Sequence, residues 1–288
     1  MTVFLALALQ WAVVRASSAF MREAPDYESA CVSQTMMGTV VEVLDTDRYW
    51  TRVRTPEPYE GWTNELCIVR MTEEQKDEWI ASPRYICAAE YTHILESPSD
   101  RAARLSDFTM GDVVRKGGRC TRLWAEVILP DGRSGWVRRS EVRDFGVWES
   151  DIVGTARLFA GVPYMWGGRS AKHFDCSGLT GFCYFCAGIL LPRDASEQVK
   201  CGEEVAIEDM QAGDLIFFGE TRVSHVALCT APGRIIHSSQ IVRENSLDPS
   251  APDYYGRRFV AVRRILGHID DGTGAISVEK SPLYFRQR

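Results

Sequence analysis

Short apolar runs with alternating polar positions dominate the first half of the chain. These runs are rich in β-branched and aromatic residues, as at residues 39–44 and 50–53. Turn residues separate them, for example Asp45-Thr46-Asp47. The pattern predicts short antiparallel strands joined by tight turns.

The same order of features occurs twice in this half. Each copy has a strand, a turn, a Met-Gly pair, a tryptophan-containing strand and a Gly-Trp pair. The Met-Gly and Gly-Trp pairs are Met37-Gly38 and Gly61-Trp62, then Met110-Gly111 and Gly135-Trp136. The repeat predicts two small all-β modules at residues 12–70 and 85–145, with a polar linker at 71–84.

The pattern changes after about residue 150. A helix is predicted over residues 151–160, and a second helix is indicated by apolar residues at three- and four-residue spacing. Those residues are Leu179, Phe182, Cys183, Cys186, Ile189 and Leu190. Strand-like runs follow at residues 214–218, 222–229, 234–241 and 258–265. Helices followed by antiparallel strands predict an α+β domain at 150–270, and we expect a loose tail at 271–288.

Composition narrows the class of protein. The chain of 288 residues is 45% hydrophobic and 25% charged, with a net charge of -6 and no basic run. These values are typical of globular proteins and argue against a nucleic acid partner. No stretch is long enough to span a membrane.

The N-terminus leaves the compartment open. Residues 3–9 are apolar, but no basic residues precede them, so a complete signal peptide is not evident. We expect a periplasmic or secreted protein if an upstream leader is missing, and a cytoplasmic one otherwise. The nine scattered cysteines predict free thiols rather than a disulfide framework.

Cys176 stands at the predicted start of the second helix. Asp175 before it suits an N-cap, and Ser177-Gly178 follow. The helix N-terminus is therefore expected to lower the thiol pKa and favour a thiolate nucleophile.

Two histidines lie on strands joined by the turn Pro232-Gly233. Pairing of these strands would make His225 and His237 direct or diagonal neighbours. A helix bearing Cys176 on that sheet would bring the thiol to a base, His225, with His237 holding the imidazole in its useful tautomer. Cys183 and Cys186 form a Cys-x-x-Cys pair, but their apolar helix face predicts core packing rather than a metal site.

Several blocks in sequence resemble the NlpC/P60 family of cell-wall peptidases. They are Tyr-Met-Trp-Gly-Gly (164–168), Asp-Cys-Ser-Gly-Leu (175–179), Pro-Arg-Asp-Ala-Ser-Glu-Gln (192–198), Gly-Asp-Leu-Ile-Phe-Phe (213–218), Ser-His-Val (224–226) and Ile-His-Ser (236–238). The resemblance implies a papain-like catalytic domain with the triad Cys176, His225 and His237. The N-terminal modules resemble bacterial SH3-like barrels, which implies two such barrels before the catalytic domain.

An NlpC/P60 domain preceded by two such barrels is similar to the γ-D-glutamyl-L-diamino acid endopeptidases of the dipeptidyl-peptidase VI type. The resemblance implies cleavage of murein peptides of the L-Ala-γ-D-Glu-diaminopimelate type that carry a free N-terminal L-Ala. It also implies substrate-binding roles for Tyr164, Asp175, Ser177, Ser196 and Tyr59, with Glu28 and Glu60 competing as the carboxylate from the first barrel. We expect a monomer that needs no metal or other cofactor, and the third substrate residue, diaminopimelate or lysine, stays open.

Two other functions fit the same residues. One is an intact-wall DL-endopeptidase or acyltransferase of the same fold, which would tolerate a blocked N-terminus. The other is a wall-binding protein with an inactive catalytic domain, which an intact Cys176, His225 and His237 set disfavours.

Overall fold

The computed structural model describes residues 9–287 and divides into two compact units. The chain up to Val147, together with residues from Glu279 onward, forms the first unit, and Trp148–Val278 forms the second. No helix in the described part of the chain is long and apolar enough to cross a membrane.

The first unit contains a sheet of seven antiparallel strands. Its strands are Trp11–Val14, Ala19–Arg22, Cys31–Thr35, Val40–Asp47, Trp50–Arg54, Glu60–Asn64 and Ile68–Met71. Across the sheet they run third, second, sixth, fifth, fourth, first, seventh. Alternating burial along these strands packs Val14, Met21, Val41 and Val53 into one core.

A second seven-stranded sheet in this unit repeats the same strand order. Its strands are Arg84–Cys87, Tyr91–Leu95, Arg104–Thr109, Val113–Cys120, Trp124–Ile128, Ser134–Arg138 and Val142–Asp144. Its core contains Ile94, Phe108, Val127 and Val137. The repeated sequence features thus coincide with a repeated topology.

The polar segment between the sheets forms a full helix, Glu73–Ala81. The Thr72 hydroxyl accepts a hydrogen bond from the Gln75 backbone N–H, and the Thr72 backbone N–H donates to the Gln75 side-chain oxygen, which is a capping box. Trp79 and Ile80 pack beside Val13 in an apolar cluster. The predicted linker is therefore a packed element, because two apolar residues in a polar stretch suffice to anchor it.

The second unit is built on a six-stranded antiparallel sheet, which we call the main sheet. In spatial order its strands are Glu203–Val205, Phe259–Arg264, Leu215–Phe218, His225–Ala231, Arg234–Ser239 and Ile241–Ser246. The helices of this unit are Ile152–Leu158, Cys176–Cys186 and Ala195–Gln198. The two-stranded pairs are Arg169–Ser170 with His173–Phe174, and Ile189–Leu190 with Ile276–Ser277.

The helix Cys176–Cys186, called here the cysteine helix, is buried along almost its whole surface. Phe182 lies within ring-packing distance of Phe159 and Phe174, with centroids 5.4 and 5.2 Å apart. Cys183 and Cys186 are fully buried, which confirms core packing for this pair. The predicted helix was too long, because Ile189–Leu190 turns away into a strand.

The C-terminal residues are not loose, contrary to the expectation for 271–288. Ile276–Ser277 pairs with Ile189–Leu190 in the second unit. In the first unit Tyr284 is buried, and its hydroxyl lies 3.3 Å from that of Thr39. Glycine and serine in the tail predicted mobility, but burial of the Tyr284 side chain holds this segment in place.

Candidate active site

Cys176 is the first residue of the cysteine helix and is partly buried. Asp175 is the N-cap, as predicted, and its carboxylate accepts the Gly178 backbone N–H at 2.7 Å. Gly178 is required by close packing, because a Cβ at this position would lie 1.9 Å from the Gly168 carbonyl oxygen. The Tyr-Met-Trp-Gly-Gly segment is thereby held against the start of the helix.

Burial, and not the helix N-terminus, has the largest effect on the pKa of the Cys176 thiol. It raises the pKa of Cys176 to about 11, and the nearby Asp175 carboxylate adds to this rise. The backbone N–H groups of Val226 and Ser177 act in the opposite direction by favouring a thiolate. The expected lowering of the thiol pKa is therefore wrong for the free protein, and the thiol is neutral at pH 7.

His225 and His237 are diagonal neighbours on adjacent strands, as predicted. Leu228 pairs with Ile236, so His237 lies opposite Ala227, two residues beyond His225. The His225 Nε2 and His237 Nδ1 atoms are 2.7 Å apart. His225 precedes Val226, whose N–H faces the sulfur, so nucleophile and base meet where the cysteine helix packs on the main sheet.

Both imidazoles are neutral at pH 7. Burial lowers the pKa of each below its usual range, and the proximity of His237 and Arg257 lowers the pKa of His225 further. A neutral His225 can accept a proton, which is the state that a general base needs.

Asn245 determines the tautomer of the histidine pair. Its amide nitrogen donates to the Asp253 carbonyl at 2.6 Å, which leaves Oδ1 to accept from His237 Nε2 at 3.0 Å. His237 Nδ1 is then an acceptor, so His225 Nε2 must carry a proton. The remaining nitrogen, His225 Nδ1, is free to accept the thiol proton.

Sequence reasoning missed Asn245 because it missed its strand. Ile241–Ser246 adjoins the predicted strand with Gln240 as the only break, and Gln240 has a φ of 66°. A glutamine is a weak turn signal, so the prediction ended one strand at residue 241 and placed no strand over the residues that follow.

Asp175 and Ser177 form a buried network with Arg193. Arg193 donates to both carboxylate oxygens of Asp175, at 3.2 and 2.5 Å, and to the Ser177 hydroxyl at 3.0 Å. Gly167 N–H also donates to Asp175, at 2.9 Å. The amine-binding role of Asp175 and Ser177 stays a prediction, and an incoming ammonium would have to compete with these donors.

Gln198 fastens the neighbouring turn to the cysteine helix. Fully buried, it donates to the Ser177 carbonyl at 3.1 Å and accepts from Thr180 at 2.8 Å. Ser196, the predicted substrate contact in this turn, is exposed.

Asp194 in the same turn is half-buried and was not among the predicted site residues. No hydrogen bond to its carboxylate is found within residues 9–287, and burial raises its pKa. The charge of nearby Arg193 offsets part of this rise in pKa, and the carboxylates of Asp175 and Glu197 add to it.

Tyr164 lies close to the nucleophile. Burial raises its pKa to about 12, with further contributions from Cys176 and Asp175, so the hydroxyl stays protonated. The backbone N–H of Cys176 donates no hydrogen bond within the described part of the chain. Both groups are hydrogen-bond donors near the sulfur, and the predicted role of Tyr164 at the oxyanion stays a prediction.

The three predicted residues of the first unit have different environments. Tyr59 is half-buried against the core of the first sheet, and Glu28 is exposed in the turn before Cys31–Thr35. Glu60 accepts hydrogen bonds from Arg52 and Arg54, each at 2.7 Å at its shortest, which hold the pKa of its carboxyl below the usual range. Their substrate roles stay predictions.

All nine cysteines are free thiols. Within residues 9–287, no three histidine, cysteine or acidic side chains are grouped as metal ligands would be.

The chain is similar to known proteins over most of its length. The sequence profile of the NlpC/P60 family matches residues 161–264, and that of the bacterial SH3 domain matches residues 17–65. A γ-D-glutamyl-L-lysine dipeptidyl-peptidase of Bacillus cereus is 30% identical over 81% of this chain and 75% of that protein. The protein of the same name from Bacillus subtilis is 38% identical, over 81% and 80% respectively.

A solved structure has the same fold. The crystal structure of an NlpC/P60 family protein from Bacillus cereus aligns with a TM-score of 0.78 and 23% identity, covering 89% of this chain and 99% of that one.

Proposed function

This chain belongs to the NlpC/P60 family of cysteine peptidases, and we propose that it hydrolyses the γ-D-Glu–diamino acid bond of murein peptides with a free N-terminal L-Ala. The relatives named γ-D-glutamyl-L-lysine dipeptidyl-peptidase support this substrate class. The observation that carries the proposal is the hydrogen-bonded line from His225 through His237 to Asn245 beside the Cys176 thiol.

The proposed reaction follows from the tautomers. His225 Nδ1 takes the thiol proton as the Cys176 sulfur attacks the γ-carbonyl carbon. The Cys176 N–H and the Tyr164 hydroxyl stabilise the oxyanion, and a single donor of this kind is commonly worth about 10²–10³ in rate. The C–N bond then breaks, and His225 gives its proton to the leaving amine.

The thioester is resolved by water. His225 takes a proton from the water molecule, the hydroxide adds to the thioester carbon, and the C–S bond breaks as the thiol regains its proton. The products are the L-Ala-γ-D-Glu dipeptide and a peptide with a free amine.

Asp194 is the better candidate for the free L-Ala ammonium. An ammonium taken out of water needs acceptors, and Asp194 is a half-buried carboxylate without a hydrogen-bond donor among residues 9–287. Asp175 is already held by Arg193. Asp194 thus replaces Asp175 in the proposed amine site, and Ser177 orients Arg193.

The second seven-stranded sheet is, in this proposal, another SH3-like barrel. Its strand order is that of the first sheet, where the bacterial SH3 profile matches. Two barrels before the catalytic domain agree with the subgroup that cleaves free-amine peptides.

Cleavage of L-Ala-γ-D-Glu-Lys and L-Ala-γ-D-Glu-diaminopimelate, each free and N-acetylated, tests the proposal. Wild-type protein should release L-Ala-γ-D-Glu from the free peptides only, as measured by mass spectrometry, and Cys176→Ala should release none. Uncut free peptides would refute the proposed activity. Equal cleavage of free and acetylated peptides would instead favour the intact-wall endopeptidase.

Asp194→Asn tests the amine site. We expect KM for the free peptide to rise about tenfold or more, since one charge-assisted hydrogen bond is lost. Glu197→Gln is the matched control, because Glu197 lies in the same turn but is exposed and paired with Lys200. An unchanged KM in Asp194→Asn would remove Asp194 from the site.

A further inference from the structure

Arg257 is an exposed cation at the catalytic centre without an acidic partner. Many arginines of the second unit form ion pairs, including Arg193 with Asp175 and Arg264 with Asp214. No carboxylate lies within ion-pair distance of Arg257 in the described part of the chain. A guanidinium left open in this way is available to a ligand anion.

Tyr255, two residues earlier, links this segment to the catalytic histidines. Its ring centroid is 4.4 Å from that of His237 and 5.5 Å from that of His225. Its hydroxyl oxygen is buried and lies beside the Arg257 side chain, which acts on it as a hydrogen-bond donor. Because Arg257 can only donate, the proton of the Tyr255 hydroxyl is left for an acceptor such as a ligand carboxylate.

The charge of Arg257 acts on the groups around the nucleophile. It lowers the pKa of Tyr164, Tyr255, His225 and His237 alike. Arg243, another exposed arginine, affects only His237 and Tyr255 among them. Arg257 therefore lies near the hydroxyl and imidazole groups around Cys176.

We propose that Arg257 and the Tyr255 hydroxyl bind the α-carboxylate of the D-glutamyl residue whose γ-amide is cleaved. This inference rests on the proposed function. In a γ-glutamyl peptide the α-carboxylate is free and belongs to the same residue as the scissile carbonyl, so a cation beside the nucleophile reaches it. In an ordinary α-linked peptide that carboxylate is consumed in the peptide bond.

The proposed site explains selection for the γ-linkage by charge. Arginine binds carboxylates through a planar fork, and a tyrosine hydroxyl adds a donor of fixed direction. A carboxamide at the same position cannot accept as strongly and carries no charge. Asp194 for the ammonium and Arg257 for the carboxylate would together match the two charges of an L-Ala-γ-D-Glu end.

Comparison of the acid with its neutral analogue tests this site. The substrates are L-Ala-γ-D-Glu-Lys and the same peptide with D-isoglutamine, in which the α-carboxylate is a carboxamide. We expect wild-type kcat/KM to favour the acid about tenfold or more, the size of a charged hydrogen bond at a partly exposed site. Arg257→Gln should lose most of this preference, and the ratio of kcat/KM for the two peptides is the measure, because an effect of the lost charge on the His225 base alters both values alike.

Two further variants test whether the preference for the acid comes from the guanidinium of Arg257. Arg257→Lys should keep part of the preference, since it retains charge but not the fork. Arg222→Gln is the matched control, because Arg222 is an exposed arginine of the same unit that influences none of the four groups above. It should keep the full preference for the acid.

A binding measurement separates this inference from the proposed function. Calorimetry of L-Ala-γ-D-Glu and its isoglutamine analogue with Cys176→Ala reports the site without any cleavage. Weaker binding of the acid after adding Arg257→Gln supports the site, even if no peptide is cut. Equal affinity for acid and carboxamide, or an acid preference that survives Arg257→Gln, overturns it.

Discussion

At the scale of single residues, burial keeps the proposed catalytic thiol, Cys176, and the proposed base, His225, neutral. The Cys176 pKa is raised to about 11 and the His225 pKa is lowered, so neither ion forms spontaneously near pH 7. Proton transfer then accompanies attack on the substrate rather than preceding it. The Val226 and Ser177 N–H groups stabilise the sulfur as charge develops.

Alkylation of Cys176 by iodoacetamide should show this neutral resting state. Since the thiolate is the reactive form, the rate should keep rising about tenfold per pH unit above pH 7, toward pH 11. Mass spectrometry of the modified peptide measures the rate, with Cys176→Ser giving the background from the other cysteines. A rate that is already maximal at pH 6 would mean a preformed thiolate–imidazolium pair.

Asn245 should affect the base through His237. Asn245→Ala removes the acceptor for His237 Nε2–H, and kcat should fall about 10²-fold, less than the ~10⁴ that loss of a triad carboxylate costs. Asn245→Asp supplies a negative acceptor, which should raise the pKa of the pair and move the acid limb of kcat/KM to higher pH. An unmoved acid limb in Asn245→Asp would contradict the relay, whereas a purely structural role predicts no such shift.

At the scale of elements, close backbone contacts set the position of the cysteine helix. The Gly168 carbonyl packs where a side chain at residue 178 would begin, and Arg193 and Gln198 tie the next turn to the same helix end. The motif residues around Cys176 are thus mostly structural supports for one nucleophile.

Gly178→Ala should disrupt this packing. The new Cβ would overlap the Gly168 carbonyl, and we expect a loss of about 1–3 kcal/mol in unfolding free energy with a fall in kcat. Urea denaturation and steady-state assays measure both effects. Gly181→Ala in the same helix is the control, because its Cβ would meet nothing closer than 3.6 Å, and it should be neutral or stabilising by up to about 1 kcal/mol. Similar behaviour of the two variants would contradict the packing argument.

At the scale of the whole molecule, two neutral buried histidines couple stability to pH. The unfolded chain binds protons at these histidines below about pH 6.5, whereas the folded chain does not until the pH reaches their lowered pKa values. Stability is therefore fullest above pH 6.5 and is lost as the pH falls below it.

The urea midpoint should fall between pH 7 and pH 5 for this reason. Each histidine contributes up to about 1.4 kcal/mol per pH unit below 6.5. A His225→Gln, His237→Gln double variant is the control and should show a weaker acid dependence. If wild type and double variant lose stability equally, other groups carry the effect.

How much of the fold and of the candidate site could be predicted from the sequence depended on how far apart along the chain the interacting residues lie. The repeat of strands and the diagonal placement of His225 and His237 followed from local patterns. The role of Cys176 as nucleophile rests on the same kind of pattern and stays a prediction. The helix at Glu73–Ala81 and the order around Tyr284 did not, because a few buried side chains outweighed a polar local sequence.

The sequence by itself determined which residues are the candidates for the chemistry, because a thiol and two imidazoles at given places in a helix and in strands are local properties. Only the tertiary structure decided their protonation and their partners. Burial sets the Cys176 and His225 pKa values, and residues distant in sequence, Asn245, Arg193 and Arg257, meet the site only after the sheet forms. Desolvation and hydrogen bonding between distant segments cannot be read from spacing along the chain.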